Sequence, residues 1–319
     1  MQTPVHPSDQ PKTAFWWRNE LWMFSRMPYG LVNGSAKCQR VMDAELAAAG
    51  LTGFCCCFVD DLLVYSDTAE EHLQHIQQVL DMLTGCGLRA HPDKSVFFAE
   101  AVEFLGHTIS AAGLSPHECK VSAIRQMAAP SNIGELRSKV QFLNYYRCYI
   151  PDFATIAAPL NLLLQKDMPW SWGAEQEAAW QLLKSMLCEP GRVLKRFDRN
   201  RPTVVYTDWS GKGIAAVLAQ VDTDGNECMV SCISRSCNKH ERNYSSYEGE
   251  MLAAVWGVKS FRQYLHGVPF TLVTDHQPLK WLMRTPDLTG KHMRWSVALQ
   301  DFEFSIEQRA GAQHQTADV

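Results

Sequence analysis

Two adjacent aspartates, Asp60 and Asp61, lie inside an otherwise apolar stretch, GFCCCFVDDLLVYSD. Carboxylates buried in a strand without a partner cost several kcal/mol unless something neutralises them. The apolar runs FCCCFV and LLVYS flank the pair, which predicts a β-hairpin with the aspartates at its tight turn. At a turn the two carboxylates avoid most of the cost of burial.

A second set of carboxylates occupies similar positions in the C-terminal part of the chain. Asp208 closes the apolar run VVYTD, Asp275 closes TLVTD, Glu250 lies near the start of a predicted helix, and Asp318 is in the terminal TADV. Carboxylates gathered from separate elements bind hard cations, and two such cations can promote phosphodiester cleavage. Each aspartate alone is more often a turn residue, so the pattern rather than any one residue indicates a metal site.

The predicted helix carries two glutamates that have to be told apart. Ser245 and Glu248 form an S-x-x-E pattern, which predicts a capping box at the start of the helix and a structural role for Glu248. Glu250 is therefore the better candidate for a metal ligand.

Local patterns predict the elements that position these residues in the N-terminal part. Thr68 and Glu71 predict the capped start of a helix, which ends near Gly85. The stretch FLGHTIS, residues 104–110, predicts a strand.

From about Pro116 the pattern becomes helical, and a second capping box is predicted at Asn132 and Glu135. The stretch NYYRCYIPDF, residues 144–153, allows two interpretations: aromatic packing at a helix end, or an aromatic and basic edge that meets nucleic acid.

The C-terminal part alternates between strand and helix patterns, which predicts a mixed α/β domain of about 120 residues. The predicted strands are PTVVYTD, GIAAVLAQ, ECMVSCISRS, FTLVTD and FEFSIEQ. The predicted helices cover residues 246–265 and 290–301.

Composition bounds the class of protein. The chain has 319 residues, 46% of them hydrophobic and 20% charged, which suits a folded protein of two or three domains. The sequence contains no run of about 18 apolar residues, so no membrane span is predicted. The first residues lack the apolar core of a signal peptide. The eleven cysteines show no CxxC pair. They are expected to be reduced thiols of an intracellular protein, cytoplasmic or nuclear and not secreted.

The chain has a net charge of −4, whereas a typical nucleic-acid-binding protein carries a net positive charge. One local exception is GRVLKRFDRNRP, which concentrates Arg192, Lys195, Arg196, Arg199 and Arg201. This segment is either a solvated linker or a phosphate-binding patch.

The ordered motifs resemble the pol region of a Ty3/gypsy-type LTR retrotransposon, in which ribonuclease H follows reverse transcriptase. FSRMPYGLVNGSAKCQRVMD and FVDD resemble the polymerase palm, and VEFLGHTIS resembles the primer grip. ELRSKVQFLNYYRCYIPDFATIAAPL resembles the thumb and connection. VVYTDWSGKGIAAVLAQ, ERNYSSYEGEMLAAVWGVKSFRQYLHG, FTLVTDHQPLKWL and RWSVALQDFEFSIEQRAGAQHQTADV resemble ribonuclease H.

The resemblance implies an α/β (α+β) fold class with four segments. Residues 1–12 would be an unstructured leader, 13–115 a truncated polymerase palm, 116–195 a helical thumb and connection, and 196–319 a ribonuclease H-like mixed-sheet domain.

The resemblance also implies the roles of single residues. Asp60 and Asp61 would be palm metal ligands, with Tyr29, Gln39, Lys94 and Gly106 near the nucleotide or primer. Asp208, Glu250, Asp275 and Asp318 would be the catalytic metal ligands of ribonuclease H.

The implied cofactor is Mg²⁺, or Mn²⁺, with two ions per active site. The implied partners are RNA–DNA hybrid, primer and template nucleic acid, dNTP and other pol-derived chains, with no membrane. The implied activities are hydrolysis of RNA in hybrids and RNA-directed DNA polymerisation.

Some positions depart from the family pattern. The family palm has a further catalytic aspartate upstream, on a strand that this sequence lacks, and the fingers are missing, so we expect polymerase activity to be lost. NGSAKCQ replaces the usual NAPATFQ, which puts Lys37 and Cys38 at normally small or aromatic positions. Two alternatives to an active ribonuclease H stay open. One is an inactive remnant that at most binds nucleic acid, and the other is a polymerase completed by a partner chain.

Overall fold

The structure is a computed structural model that describes residues 3–274 and 290–308. The chain divides into two compact units, Met1–Phe104 and Leu105–Val319. The boundaries of the four predicted segments stay predictions.

The first unit holds two hairpins and two long helices. Its strands are β1 (Phe15–Trp17), β2 (Glu20–Trp22), β3 (Cys55–Phe58), β4 (Asp61–Val64) and β5 (Ala101–Phe104). Its helices are α1 (Gly34–Ala48) and α2 (Ala69–Gly85), with short 3₁₀ helices at Gln10–Thr13 and Pro92–Lys94. As predicted, Thr68 caps α2 by accepting a hydrogen bond from the Glu71 N–H at 3.2 Å.

A small core joins α1 and α2 to the β3–β4 hairpin. Leu46 of α1 and Leu83 of α2 are buried in one cluster with Cys55 of β3. Both helices therefore support the strand that leads to the two aspartates.

The segment predicted to be an unstructured leader is hydrogen-bonded in its described part. The Val5 N–H donates to the Ser25 carbonyl at 3.0 Å, and the Met27 N–H donates to the Thr3 carbonyl at 2.9 Å. These backbone hydrogen bonds form a short antiparallel pairing. The Pro-rich sequence of the segment did not indicate this pairing.

The second unit is larger and mixed. Its strands are β6 (His107–Ser110), β7 (Gly113–Pro116), β8 (Thr203–Trp209), β9 (Gly213–Val221), β10 (Glu227–Ser236), β11 (Phe270–Thr274) and β12 (Phe304–Gln308). Its first helices are α3 (Glu118–Gln126), α4 (Ile133–Tyr145), α5 (Phe153–Ile156), α6 (Ala158–Leu163) and α7 (Ala174–Cys188). The later helices are α8 (Ser246–Ser260), α9 (Arg262–Leu265) and α10 (Gly290–Leu299), with 3₁₀ helices at Arg147–Tyr149 and Glu241–Asn243.

Within the described residues, five strands of this unit form one mixed sheet in the order β10-β9-β8-β11-β12. The strands β8, β9 and β10 are antiparallel neighbours, whereas β11 runs parallel to β8 and to β12. Helix α8 packs on one face through Met251, Val255 and Val258, which are buried against Val205 and Leu272. This mixed α/β organisation confirms the predicted fold class.

The helices α4 to α7 build a second core around Trp180, Leu136 and Leu160, which are fully buried. This helical layer is attached to the sheet. The Cys232 thiol of β10 donates to the Cys148 carbonyl at 2.9 Å, and the Ala154 N–H of α5 donates to the Ser234 hydroxyl of β10 at 3.0 Å.

Two predicted elements are interrupted. FLGHTIS is not one strand, because Leu105 and Gly106 both have positive φ angles, 52° and 76°, and form a tight turn before β6. The helix predicted over residues 246–265 breaks at Phe261, whose side chain is buried in the core.

Candidate active sites

The predicted hairpin is present, but its turn lies one residue earlier than the predicted Asp60–Asp61 pair. Phe58 pairs with Asp61, so Val59 and Asp60 form the two-residue turn and Asp61 opens β4. Both aspartates are exposed. Val59 has a φ angle of 54°, an unfavourable conformation for a β-branched residue that the surroundings must stabilise.

Gln39 of α1 holds this turn from both sides. Its Oε1 accepts a hydrogen bond from the Val59 N–H at 2.7 Å, and its Nε2 donates to the Cys57 carbonyl at 2.9 Å. One amide side chain thus satisfies backbone groups on both sides of Phe58 and fixes the turn that carries Asp60. Gln39, predicted to lie near the nucleotide, therefore has a structural contact with the aspartate hairpin.

Two thiols next to the turn are affected by the charges of nearby carboxylates. Burial, and then the charge of Asp60, raise the pKa of the Cys38 thiol. Burial raises the pKa of the Cys57 thiol to about 11, and Asp43 and Asp60 contribute to that shift. Both thiols therefore stay protonated at neutral pH.

The other predicted residues of the polymerase site lie in separate segments. Tyr29 is 81% exposed in a turn, and Lys94 is exposed at the end of a 3₁₀ helix. The structure leaves their roles as predictions.

Gly106 lies in the tight turn of the segment that resembles a primer grip. The Tyr146 hydroxyl donates to the Gly106 carbonyl at 3.2 Å, and the Tyr145 hydroxyl donates to the Leu105 carbonyl at 2.5 Å. A Cβ on Gly106 would lie 3.1 Å from the Tyr146 hydroxyl, so only glycine fits without strain. The Tyr149 hydroxyl is 2.9 Å from His107 Nδ1. Two of the tyrosines are buried packing residues, and the exposed Tyr145 binds the same turn.

The backbone segments that carry Asp208 and Glu250 approach each other through the residues next to them. Trp209 follows Asp208 on β8, and its ring packs on Gly249, which precedes Glu250 in the first turns of α8. A Cβ on Gly249 would lie 2.6 Å from Trp209 Cε3 and closer to two other ring atoms. The glycine therefore lets the strand end and the helix start approach closely. Asp208 is exposed, whereas Glu250 is only 4% exposed.

Glu248 behaves as a structural residue. The Ser245 hydroxyl accepts a hydrogen bond from the Glu248 N–H at 3.3 Å, and the Glu248 carboxylate forms an ion pair with Lys291 at 2.6 Å. The ion pair lowers the pKa of the Glu248 carboxyl group. This carboxylate already has a cationic partner, which supports Glu250 as the candidate ligand.

Asp275 and Asp318 lie outside the described residues. Within residues 3–274 and 290–308, no group of three histidine, cysteine or acidic side chains could hold a metal ion. Asp208 and Glu250 are thus the described half of the predicted ligand set. Their carboxylate oxygens are the ligand type that Mg²⁺ and Mn²⁺ prefer, so the donor set fits such an ion.

Asp152 is a residue that the sequence analysis missed. It precedes α5 in a left-handed conformation with a φ angle of 56°. Burial, and then the charge of Asp208, raise the pKa of its carboxyl group to about 6. The sequence gives no signal for this neighbour, because the two aspartates lie 56 positions apart along the chain.

Two family models match the chain. The model of reverse transcriptase (RNA-dependent DNA polymerase) matches residues 2–109, and the model of the RNase H-like domain found in reverse transcriptase matches residues 198–302. The first range contains the Asp60–Asp61 hairpin, and the second contains Asp208 and Glu250.

Similar curated proteins are Pol polyproteins of retrotransposons. The chain is 36% identical to the retrovirus-related Pol polyprotein from transposon 297 of Drosophila melanogaster, over 97% of the chain and 28% of that protein. It is 31% identical to the corresponding polyprotein from transposon gypsy of the same organism, over 98% of the chain and 31% of that protein. The Tf2-3 polyprotein of Schizosaccharomyces pombe is 33% identical over 99% of the chain and 24% of its own length. The chain thus spans about a quarter to a third of these relatives.

Solved structures of foamy viral protease-reverse transcriptase share the fold. A complex of its dRH form with ds DNA matches with a TM-score of 0.80 and 22% identity, over 96% of this chain and 54% of that chain. A complex with RNA/DNA hybrid matches with a TM-score of 0.77 and 22% identity, over 97% and 42%.

Fold, motifs and family models together define a reverse transcriptase segment joined to a ribonuclease H-like domain. The chain belongs to the Pol proteins of gypsy-type LTR retrotransposons. Among the described residues, no helix has the length and apolar character needed to cross a membrane.

Proposed function

We propose that this chain hydrolyses the RNA strand of RNA–DNA hybrids at a site built around Asp208 and Glu250. The observation that carries the proposal is the packing of Trp209 on Gly249, which draws the strand end with Asp208 and the helix start with Glu250 together. The match of residues 198–302 to the RNase H-like family supports the same site. The foamy viral enzyme that shares the fold has been solved with an RNA/DNA hybrid, which suggests the nucleic-acid partner.

The proposed ligands for two Mg²⁺ ions are Asp208, Glu250 and Asp275, with Asp318 completing one site. When bound, the ions supply activation of a water molecule and stabilisation of the leaving 3′ oxygen. The protein contributes fixed carboxylates. Glu250 is held in the buried start of α8, where the low dielectric strengthens its attraction for a cation. Asp208 stays exposed at the strand end, where a phosphate group can reach it. We expect the hybrid to be recognised by shape and by 2′-hydroxyl contacts, without sequence preference.

The test is cleavage of a labelled RNA–DNA hybrid by the purified full chain with Mg²⁺ or Mn²⁺. The test variant is Asp208→Asn, and the matched control is Asp301→Asn, an exposed aspartate paired with Arg262 on the protein surface. Cleavage by the wild type and the control, lost in Asp208→Asn, supports the proposal. Salt-dependent binding of the hybrid without turnover, by a chain that circular dichroism shows to be folded, would favour the inactive remnant instead.

The Asp60 hairpin favours a second function, nucleotidyl transfer with dNTP as substrate. The hydrogen bonds of Gln39 to Val59 and Cys57 hold this turn in place, and the two exposed carboxylates are ligands of the type that a divalent cation prefers. The loss of polymerase activity stays a prediction, because the relatives extend well beyond the length that this chain spans. Primer extension by the chain alone would contradict that prediction. Extension only after addition of an upstream Pol segment would support a polymerase completed by a partner.

A further inference from the structure

Two cysteines from different elements of the first unit contact the same backbone oxygen. The Cys38 thiol of α1 donates to the Val59 carbonyl at 3.7 Å, and the Cys57 thiol of β3 donates to the same carbonyl at 3.6 Å. The separation of the two sulfur atoms therefore cannot exceed these two distances laid end to end. The shared acceptor brings the two thiols together at the base of the turn that carries Asp60.

The helix and the strand direct these cysteines toward each other. Met42 and Leu46 follow Cys38 on α1 at intervals of four residues, and both are buried in one cluster with Cys55 of β3. Residues four apart share one face of a helix, so Cys38 extends the row that faces the strand. Cys55 and Cys57 lie on the same face of β3, and Cys57 packs against the same cluster.

Both thiols are available for chemistry. Cys38 and Cys57 are free cysteines, and each is only partly buried, so a small reagent can reach them. Cys38 lies in NGSAKCQ, the stretch that departs from the family pattern. The pair therefore cannot be inferred from that pattern and depends on the packing of α1 on β3.

We propose that Cys38 and Cys57 form a thiol–disulfide modification site whose co-reactant is a low-molecular-weight disulfide such as oxidised glutathione. One cysteine thiolate attacks the reagent, forms a mixed disulfide and releases one glutathione thiolate. The other cysteine thiolate attacks the protein sulfur of the mixed disulfide, which forms the Cys38–Cys57 bond and releases the second glutathione thiolate. The protein dithiol is oxidised, the reagent is reduced to two thiols, and the two protons pass from the protein to glutathione.

The disulfide acts on the turn directly, because a disulfide has no S–H group to donate. The Val59 carbonyl loses the hydrogen bonds of both thiols. Helix α1, which also holds the turn through Gln39, becomes covalently attached to β3 beside Asp60. The inference is independent of the proposed ribonuclease site, which lies in the second unit.

The test is incubation of the full chain with oxidised and reduced glutathione at mildly alkaline pH, where thiolates form more readily. Free thiols are then alkylated, and mass spectrometry identifies the linked cysteines. The test variants are Cys38→Ser and Cys57→Ser, because a serine hydroxyl can still donate to the Val59 carbonyl. The matched control is Cys56→Ser, since Cys56 is exposed and projects from the opposite face of β3.

We expect a Cys38–Cys57 link in the wild type and in Cys56→Ser, with the loss of both thiols together. Each test variant should lack the link and stop at a mixed disulfide with glutathione on its remaining cysteine. Circular dichroism checks that the variants are folded. If Cys57→Ser does not fold, Cys38→Ser gives the same comparison from the helix side.

Two results would overturn the inference. One is a wild type in which Cys38 stays a free thiol or keeps its glutathione. The other is a link from Cys38 to Cys56, which would survive in Cys57→Ser and disappear in Cys56→Ser.

Discussion

Replacing Gly249 by alanine tests whether the contact between Trp209 and α8 sets the geometry of the ribonuclease site. The added Cβ would lie 2.6 Å from Trp209 Cε3, and closer to two other ring atoms. Ordinary carbon contacts are about 3.5–4.0 Å, so the ring or the helix has to move by about 1 Å or more. Overpacking of this kind costs roughly 1–3 kcal/mol, partly offset by the higher helix propensity of alanine, worth about 1 kcal/mol.

The effect on activity should exceed the effect on stability. A shift of about 1 Å in a catalytic group can lower the rate about 100-fold, so we expect hybrid cleavage to fall 10- to 100-fold while the chain still unfolds cooperatively. Thermal unfolding and single-turnover cleavage measure the two effects. Shrinking the ring in a Trp209→Leu, Gly249→Ala double variant should restore part of the rate.

The matched control is Gly211→Ala, three residues after Asp208, where an added Cβ meets nothing within 4 Å. Equal cleavage rates and melting temperatures for Gly249→Ala and the wild type would refute the argument that this glycine sets the site.

Three further predictions concern other parts of the chain. Gln39→Ala should cost roughly 1–3 kcal/mol, because it leaves backbone groups of the turn without partners; faster amide exchange at Val59 would report it, and unchanged exchange would contradict it. Arg192→Met should lower the free energy of unfolding and leave hybrid affinity unchanged, because this guanidinium is buried. Arg196→Met should instead lower only the affinity for the hybrid. Filter binding of the hybrid at two salt concentrations distinguishes the two variants, and the reverse pattern would refute the prediction. The folded pKa of Asp152, about 6, lies above its ordinary value of 3.8, so its stabilising contribution is present below pH 4 and is lost as the pH rises through 6. In EDTA, Asp152→Asn should therefore be more stable than the wild type at pH 7.5, by at most about 3 kcal/mol, and no more stable at pH 3.5. Denaturant unfolding at both pH values measures the difference in stability. An equal difference at both pH values would contradict the raised pKa of Asp152.

Local signals in the sequence predicted much of the fold. Alternating apolar runs marked β8 to β12, and Thr68, Asn132 and Ser245 each accept the capping hydrogen bond that their spacing predicts. The second capping box is only half formed, because the Glu135 carboxylate binds Ser131 rather than the Asn132 N–H. The donor that a glutamate carboxylate binds depends on competition between neighbouring residues, and the sequence motif does not show which donor is bound.

Contacts across long sequence distances could not be predicted. Arg192 belongs to a run of basic residues that allowed a phosphate-binding interpretation, yet it is buried and bound to Tyr149 and Glu189. The position of Asp152 near Asp208 likewise depends on how α5 packs on the sheet. For Gly249 a weak signal existed, since glycine inside a helix costs about 1 kcal/mol and its presence suggests close packing.

The attachment of the helical layer to the sheet has a consequence for how the chain acquires its structure. The hydrogen bonds of Ala154 to Ser234 and of Cys232 to Cys148 join residues that are 80 and 84 positions apart. During synthesis the helical layer leaves the ribosome before β10 has been translated. Until then, the surface of the helical layer that packs on the sheet is exposed to water. Contacts between residues so far apart in sequence slow folding, and the apolar surface that is exposed in the meantime promotes aggregation. We therefore expect the helical layer, residues 118–188, to complete its folding only together with the sheet, and the second unit to be expressed better as one chain than recombined from pieces.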